Sequence, residues 1–294
     1  MDKAGVYSVP NASQLLQKKP NIMDGKIWVA VLPTHLNERE LKAKVFTSQS
    51  WLKFWQLSDK ASSSVCFTNE ISRLLLPVKL VQFDSIPFRS RYLCLYEPSF
   101  GDLLAEVDLV DRLPERRAAT MFQQMVSAVA FGHSIDICFP RCTLKSWEFS
   151  DTERKKLRLS YFDMMDILEG TSCGSSDFSR CPLYVSPEYV QSKENGTYYS
   201  AKSTDVWSLG IMLYVMLTGA GPFYFHNLAQ LNSRILNQTI SFPSHISLSL
   251  EAKLVVCRCL RRDVTKRATA QQLLQLDWVR AHSSVPHNLL LNEI

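Results

Sequence analysis

The side chains able to carry metal or nucleophilic chemistry in this 294-residue chain do not form the usual motifs. The six histidines form no H-E-x-x-H pair. The eight cysteines form no C-x-x-C pair, and no histidine stands at zinc-site spacing from them. One G-x-S-x-G sequence occurs, GTSCG at 170–174, but it lies in an expected loop rich in Ser, Gly and Cys and not at the strand-to-helix elbow that presents a nucleophilic serine. The sequence therefore predicts neither a metal site nor a serine hydrolase.

Glycine, which lets a backbone wrap closely around phosphate groups, is scarce. The chain has 10 glycines, whereas average usage would give roughly 20 in this length. Only Gly219 and Gly221 are separated by a single residue, and position 224 is Tyr. Neither a G-x-G-x-x-G loop nor a G-x-x-x-x-G-K-[ST] loop can exist. The two commonest glycine-built nucleotide sites are therefore excluded.

Composition also limits the partners and the compartment. A net charge of +5 is too small to indicate binding to nucleic acid. Residues 206–225 carry no charge, but Gly219, Gly221 and Pro222 interrupt that stretch, so we expect a buried helix and no membrane partner. Scattered cysteines and an N-terminus without an apolar signal core predict a cytoplasmic or nuclear protein, or both.

The elements that must position a site differ between the two parts of the chain. Short β-branched and aromatic runs predict strands at 27–33, 41–46, 78–83 and 91–97. Beyond Pro114 apolar residues recur at helical spacing, and further helices are expected at 205–218, 227–237, 248–261 and 269–279. Two short strands are expected around 147–149 and 157–161.

These elements predict an α+β fold with two lobes. A small antiparallel β-rich lobe covers residues 27–98, and a large α-helical lobe covers residues 99–280. Residues 1–26 are expected to be an N-terminal extension and residues 281–294 a C-terminal tail.

Six local sequences, in order, carry a resemblance to a known family. CPLYVSPEYV (181–190) and STDVWSLGIMLY (203–214) resemble late subdomains of the protein-kinase fold. The narrower resemblance is to the Tribbles family of pseudokinases, in AKVF (43–46), FGD (100–102), FQQMVSAVAFGHS (122–134), FSDTERKKLRL (149–159), RCPLYVSPEYV (180–190) and LLQLDWV (273–279). It implies a bilobal protein-kinase-like fold. It also implies that Glu188 pairs with Arg267 and that Asp205 holds the backbone of the catalytic loop.

Aligned on this pattern, the catalytic loop lacks its usual chemistry. Phe139, Pro140 and Arg141 stand where kinases have His-Arg-Asp, and a guanidinium cannot accept the substrate proton. Thr143 replaces the loop lysine, and Ser146 replaces the metal-binding asparagine. Tribbles proteins usually keep the catalytic-loop Asp and Lys, so the chain departs from the family pattern at both positions.

Of the two remaining nucleotide-site positions, one departs from the usual kinase residue and the other matches it. Tyr161 stands in place of the magnesium-binding aspartate, and a neutral phenol is a poor Mg²⁺ ligand. Lys44 in AKVF matches the nucleotide-binding lysine and is the one polar group retained. We therefore expect no cofactor, no metal and no phosphotransfer. Two alternatives stay open: a metal-independent nucleotide-sensing switch that uses Lys44, and a divergent Ser/Thr kinase.

The resemblance implies a scaffold with protein partners. These are a client, such as a C/EBP-type transcription factor, a ubiquitin ligase and a MAP-kinase kinase. Trp278 matches an aromatic at the end of the family's last helix, with core packing as the alternative role. Val285-Pro286 matches part of the family's ligase-binding peptide, although Ser residues precede it and His287 follows it. A disordered tail, or leucines docking back on the lobe, are the alternatives.

Overall fold

The structure is a computed structural model that describes part of the chain in full and part by its backbone. Residues 7–8, 28–31, 40–47, 79–86 and 89–96 are described as strands by their backbone alone. Side chains are described over 99–134, 136–139, 142–160, 182–223 and 225–281.

The first part of the chain forms a five-stranded sheet. Its strands are β1 (Tyr7–Ser8), β2 (Trp28–Val31), β3 (Glu40–Thr47), β4 (Lys79–Ile86) and β5 (Arg89–Tyr96), in the order β1-β4-β5-β3-β2. The pairs β2–β3, β3–β5 and β4–β5 are antiparallel, while β1 runs parallel to β4. All four predicted strands are confirmed, because β-branched and aromatic runs fit a pleated sheet. The two-residue β1 lies within the stretch expected as an N-terminal extension, and the domain boundaries stay predictions.

The second part of the chain is mainly helical. Its helices are α1 (Leu103–Val110), α2 (Glu115–Ser134), α3 (Pro187–Asn195), α4 (Ala201–Thr218), α5 (Leu228–Asn237), α6 (Leu250–Cys259), α7 (Ala270–Leu274) and α8 (Asp277–Arg280). A two-stranded antiparallel hairpin, β6 (Trp147–Phe149) and β7 (Leu157–Leu159), lies between α2 and α3 in the chain. The expected α+β organisation, a β-rich part followed by a mainly helical part, is therefore confirmed.

Helix α4 forms the centre of the hydrophobic core. Every residue from Thr204 to Leu217 is buried, and the helix packs against α2 and α6. Ser200 caps its N-terminus by accepting a hydrogen bond from the Ser203 amide. Among the residues that the structure describes, no helix is long and apolar enough to span a membrane. The uncharged run expected to be a buried helix is therefore this core helix.

Gly219 ends helix α4 for two physical reasons. Its φ of 78° lies in the left-handed region, where a side chain is strained. A Cβ at this position would lie 2.1 Å from the backbone oxygen of Asp111. Only glycine therefore allows the chain to turn this closely against the segment that follows α1.

The sequence did not predict two of the helices, α1 and α3, and it predicted α7 and α8 as a single helix. Asp102 looks like part of a turn, yet its side chain caps α1 by accepting from the Ala105 amide. Ser186-Pro187 supplies the cap and first residue of α3, an arrangement typical of a helix start. The helix expected over 269–279 is wrong as a single element, because the backbone at Leu276 is extended and separates α7 from α8.

We predict that Gly219→Ala destabilises the fold more than the same change at Gly196. Both glycines end a helix with positive φ, but a Cβ at Gly196 would meet nothing within 4 Å. Gly196→Ala should lower the free energy of unfolding by about 1–2 kcal/mol. Gly219→Ala should cost a further ~1–3 kcal/mol because of the close contact. Urea unfolding of both variants tests this, and equal losses would contradict the proposed steric role of Asp111.

Candidate functional site

The segment aligned with a kinase catalytic loop lies between α2 and β6. Phe139 is buried, with its ring 6.3 Å from the imidazole of His133, centre to centre. A short 3-10 helix, Leu144–Ser146, follows Thr143 and leads into β6. Pro140, Arg141 and Tyr161 lie outside the described residues.

Ser146 uses its hydroxyl inside its own turn. The side chain is buried, and its Oγ accepts a hydrogen bond from the Thr143 amide at 2.9 Å. The Thr143 hydroxyl lies 3.3 Å from the same oxygen. The bond from the Thr143 amide to the Ser146 side chain is the one that a capping box makes. The backbone oxygen of Ser146 accepts from the Ser160 amide. Neither side chain brings the carboxylate or amide oxygens with which proteins hold Mg²⁺.

The hairpin beside this turn contains a half-buried ion pair. Glu148 in β6 lies opposite Arg158 in β7, and their side chains approach to 3.4 Å between Oε2 and Nη2. Trp147 and Phe149 alternate with Glu148 and are both buried in the core. The hairpin therefore buries its apolar face and carries the ion pair on the opposite face.

Asp205 holds the start of the catalytic-loop segment through its carboxylate. This residue is buried near the start of α4, and its Oδ2 accepts from His133 Nε2 and from the Phe139 amide, each at 2.8 Å. Burial raises the pKa of the Asp205 carboxyl, and the hydrogen bonds from His133 and Phe139 oppose part of that rise. The structure thus brings Asp205 to the backbone that the resemblance implies.

Glu188 and Arg267 form a bidentate ion pair. Arg267 Nη1 lies 2.5 Å from Glu188 Oε1, and Nη2 lies 2.8 Å from Oε2. The Arg267 side chain is 1% exposed, and its remaining donors reach the backbone oxygens of Arg261 and Ser203. Its guanidinium also lies over the Trp207 ring. The pair therefore joins the start of α3, the start of α4 and the loop before α7.

Of the residues predicted to contact a nucleotide or a partner, the structure describes some and not others. Lys44 lies in β3 opposite Cys94 of β5, and its side chain is outside the description. Val285 and Pro286 also lie outside the described residues. Trp278 is buried: its ring packs near Phe122 and its Nε1 donates to Glu115 Oε1 at 2.9 Å. That placement favours the core-packing role for Trp278 over the partner-binding one.

The hydrogen bonds that connect Trp278 and Ser249 to Glu115 were not predicted from the sequence. Glu115 accepts hydrogen bonds from the Ser249 amide and hydroxyl as well as from Trp278. Ser249 also caps α6. The signal present in the sequence was the Pro-Glu pair that opens α2, because acidic residues are favoured in a first helical turn. What the glutamate would bind, however, lies more than a hundred residues away in the chain.

We predict that Glu188→Ala destabilises the protein by about 3–5 kcal/mol, because it leaves the buried Arg267 charge without its carboxylate. The matched control is Asp263→Ala, which removes the carboxylate from an exposed pair with Lys266 and also an N-terminal cap. That control should cost clearly less, because its ion pair is exposed to solvent and screened. Denaturant unfolding measures both losses. A loss for Glu188→Ala no larger than that of the control would contradict the structural role of the pair.

Comparison with known proteins agrees with this geometry. Residues 79–279 match the family described as Protein kinase domain. Mouse Tribbles homolog 1 is 39% identical over 189 residues, which cover 64% of this chain and 50% of that protein. Cattle Tribbles homolog 2 is 37% identical over 193 residues, covering 66% of this chain and 55% of that protein. Human Tribbles homolog 3 is 36% identical over 180 residues, covering 61% and 49%.

The chain spans about half the length of the curated relatives it matches. The matched family covers more than half of the chain, and it includes the segments that hold Asp205, Glu188 and Arg267. The chain therefore belongs to the protein kinase domain family, and it is similar to Tribbles homologs 1, 2 and 3.

Proposed function

We propose that this chain is a catalytically inactive scaffold that binds a protein client and brings it to a ubiquitin ligase or alters kinase signalling. One contrast carries the proposal. The ion pair Glu188–Arg267 and the Asp205 carboxylate hold the helical lobe together as in a folded kinase domain. The hydroxyl of Ser146, at the metal-binding position, accepts a hydrogen bond from the Thr143 amide within its own turn. The contacts that hold the helical lobe are therefore present, whereas the metal-binding position lacks a residue suited to phosphoryl transfer.

The inactivity part of the proposal rests on charge. Phosphoryl transfer requires a base for the hydroxyl proton and oxygen ligands for magnesium. Thr143 and Ser146 are neutral and bonded to one another. In the sequence, Arg141 stands at the position of the base and Tyr161 at that of the metal-binding carboxylate. A cation and a phenol supply neither function.

The scaffold part rests on the exposed surface of the helical lobe and on its relatives. Several large apolar side chains are exposed: Phe100, Leu109, Val110, Tyr198, Phe225, Leu228, Leu250 and Leu254. Aromatic side chains such as those of Phe100, Tyr198 and Phe225 are enriched at protein interfaces. The proposed client is a C/EBP-type transcription factor, and a MAP-kinase kinase is a further proposed partner. The proposed ligase contact is Val285-Pro286, and the proposed location is the cytoplasm, the nucleus or both.

We predict that ATP leaves the melting temperature unchanged, with or without Mg²⁺, because the ligands for phosphate-bound metal are lacking. A nucleotide present at a hundred times its Kd would instead add roughly 2.7 kcal/mol of stability. Thermal shift with a parallel assay of phosphate release measures both properties. A rise with ATP alone that Lys44→Met abolishes would favour the nucleotide-sensing switch. A magnesium-dependent rise with turnover would overturn the proposal of inactivity.

We predict that removal of residues 283–294 abolishes capture of a ubiquitin ligase and preserves capture of the client. Val285→Ala/Pro286→Ala in the full chain should have the same effect, since only the proposed contact pair changes. Asn288→Ala is the matched control in the same tail and should retain ligase binding. Quantitative affinity capture measures all four proteins. Ligase capture that survives the tail deletion would sink the ligase contact, while the proposed client function would stand.

A further inference from the structure

Three metal-ligating side chains meet beside the catalytic-loop segment. His133 lies at the end of α2, Cys138 lies in the loop that follows, and Asp205 lies near the start of α4. One ligand atom from each, the imidazole nitrogen, the thiol sulfur and a carboxylate oxygen, lie within 4.8 Å of one another. The helical lobe therefore brings together a nitrogen, a sulfur and an oxygen ligand from three separate elements.

This set of ligands matches one class of ion. Zinc binds histidine nitrogen, cysteine sulfur and aspartate oxygen at about 2.0–2.3 Å, so tetrahedral ligand atoms lie roughly 3.3–3.8 Å apart. The observed spacing of up to 4.8 Å requires the thiol to move inward by about 1 Å or less. The hydrogen bond of 2.8 Å between His133 and Asp205 must open slightly, because the ion takes the place of the shared proton.

Burial and charge also favour a cation at this position. The side chains of His133 and Asp205 are 11% and 2% exposed, whereas Cys138 is only half-buried and leaves a way in from the surface. A buried carboxylate is costly unless a positive partner compensates it. The nearby Lys202 ammonium is engaged by Asp136 and by the backbone oxygen of His133. A thiolate and a carboxylate together balance a divalent ion.

We propose that His133, Cys138 and Asp205 form a three-ligand site for a zinc-like divalent cation, with a fourth position for water. On binding, the Cys138 thiol releases its proton to solvent and its sulfur bonds to the ion. The proton on His133 Nε2 exchanges through solvent to Nδ1, so the neutral imidazole binds the ion through Nε2. This goes beyond the scaffold function: the ion would tie the end of α2 and the loop to α4, next to the backbone of Phe139.

The test uses the full chain, freed of metal, and cobalt as a spectroscopic probe for zinc. We expect one equivalent of Co²⁺ to bind with a thiolate-to-cobalt charge-transfer band, and Zn²⁺ to displace it. Cys138→Val keeps an apolar side chain of similar size and should abolish the band and weaken binding by roughly ten-fold or more. His133→Gln keeps a hydrogen-bond donor for Asp205 and should weaken binding similarly. Cys257→Ser, at an exposed cysteine of α6, is the control and should change neither property.

Several outcomes would overturn the site. Absence of stoichiometric binding by the folded chain, or cobalt bound without the thiolate band, excludes it. A band that persists in Cys138→Val, or disappears in Cys257→Ser, assigns the metal to another thiol. Circular dichroism establishes that each variant is folded. If Cys138→Val does not fold, unchanged affinity in His133→Gln by itself refutes the proposal.

Discussion

The buried ion pair between Glu188 and Arg267 is the interaction on which the helical lobe most depends. A guanidinium with 1% exposure requires a partner for its charge and for its donors, and Arg267 has both. Its donors reach Glu188 at the start of α3 and the Ser203 carbonyl at the start of α4. Three segments far apart in the chain are thereby held in one geometry.

The second constraint acts two residues further along α4, at Asp205. Asp205 is desolvated, and its Oδ2 accepts from an imidazole and from the Phe139 amide. Because the partner at Phe139 is a backbone amide, the side chain at that position does not affect the bond. The backbone before the catalytic loop is therefore held in place whatever side chains the loop presents. The bond that positions the loop backbone therefore does not depend on which catalytic side chains the loop carries.

Most of the strands and helices were predictable from the sequence, whereas the contacts between residues far apart in the chain were not. Strands and amphipathic helices follow from the spacing of apolar residues, and Gly219 marks a helix end in the sequence and in the structure. Helix α1 was missed because Asp102 reads equally well as a turn residue or as a cap. Cysteine and histidine spacing gave no metal site, whereas folding brings His133 and Cys138 to Asp205, across the helical lobe. The pairing of Glu188 with Arg267 came from a resemblance and not from spacing.

The scarcity of glycine can now be interpreted together with these contacts. Glycine loops and catalytic side chains serve a bound nucleotide, whereas Glu188, Arg267 and Asp205 bond to side chains and backbone atoms of the helical lobe itself. We therefore expect substitutions at the nucleotide-site positions to leave these bonds in place. At Ser146 a short hydroxyl even closes its own turn with the Thr143 amide. A kinase framework can thus lose its chemistry position by position while its folded surface, the part a scaffold needs, persists.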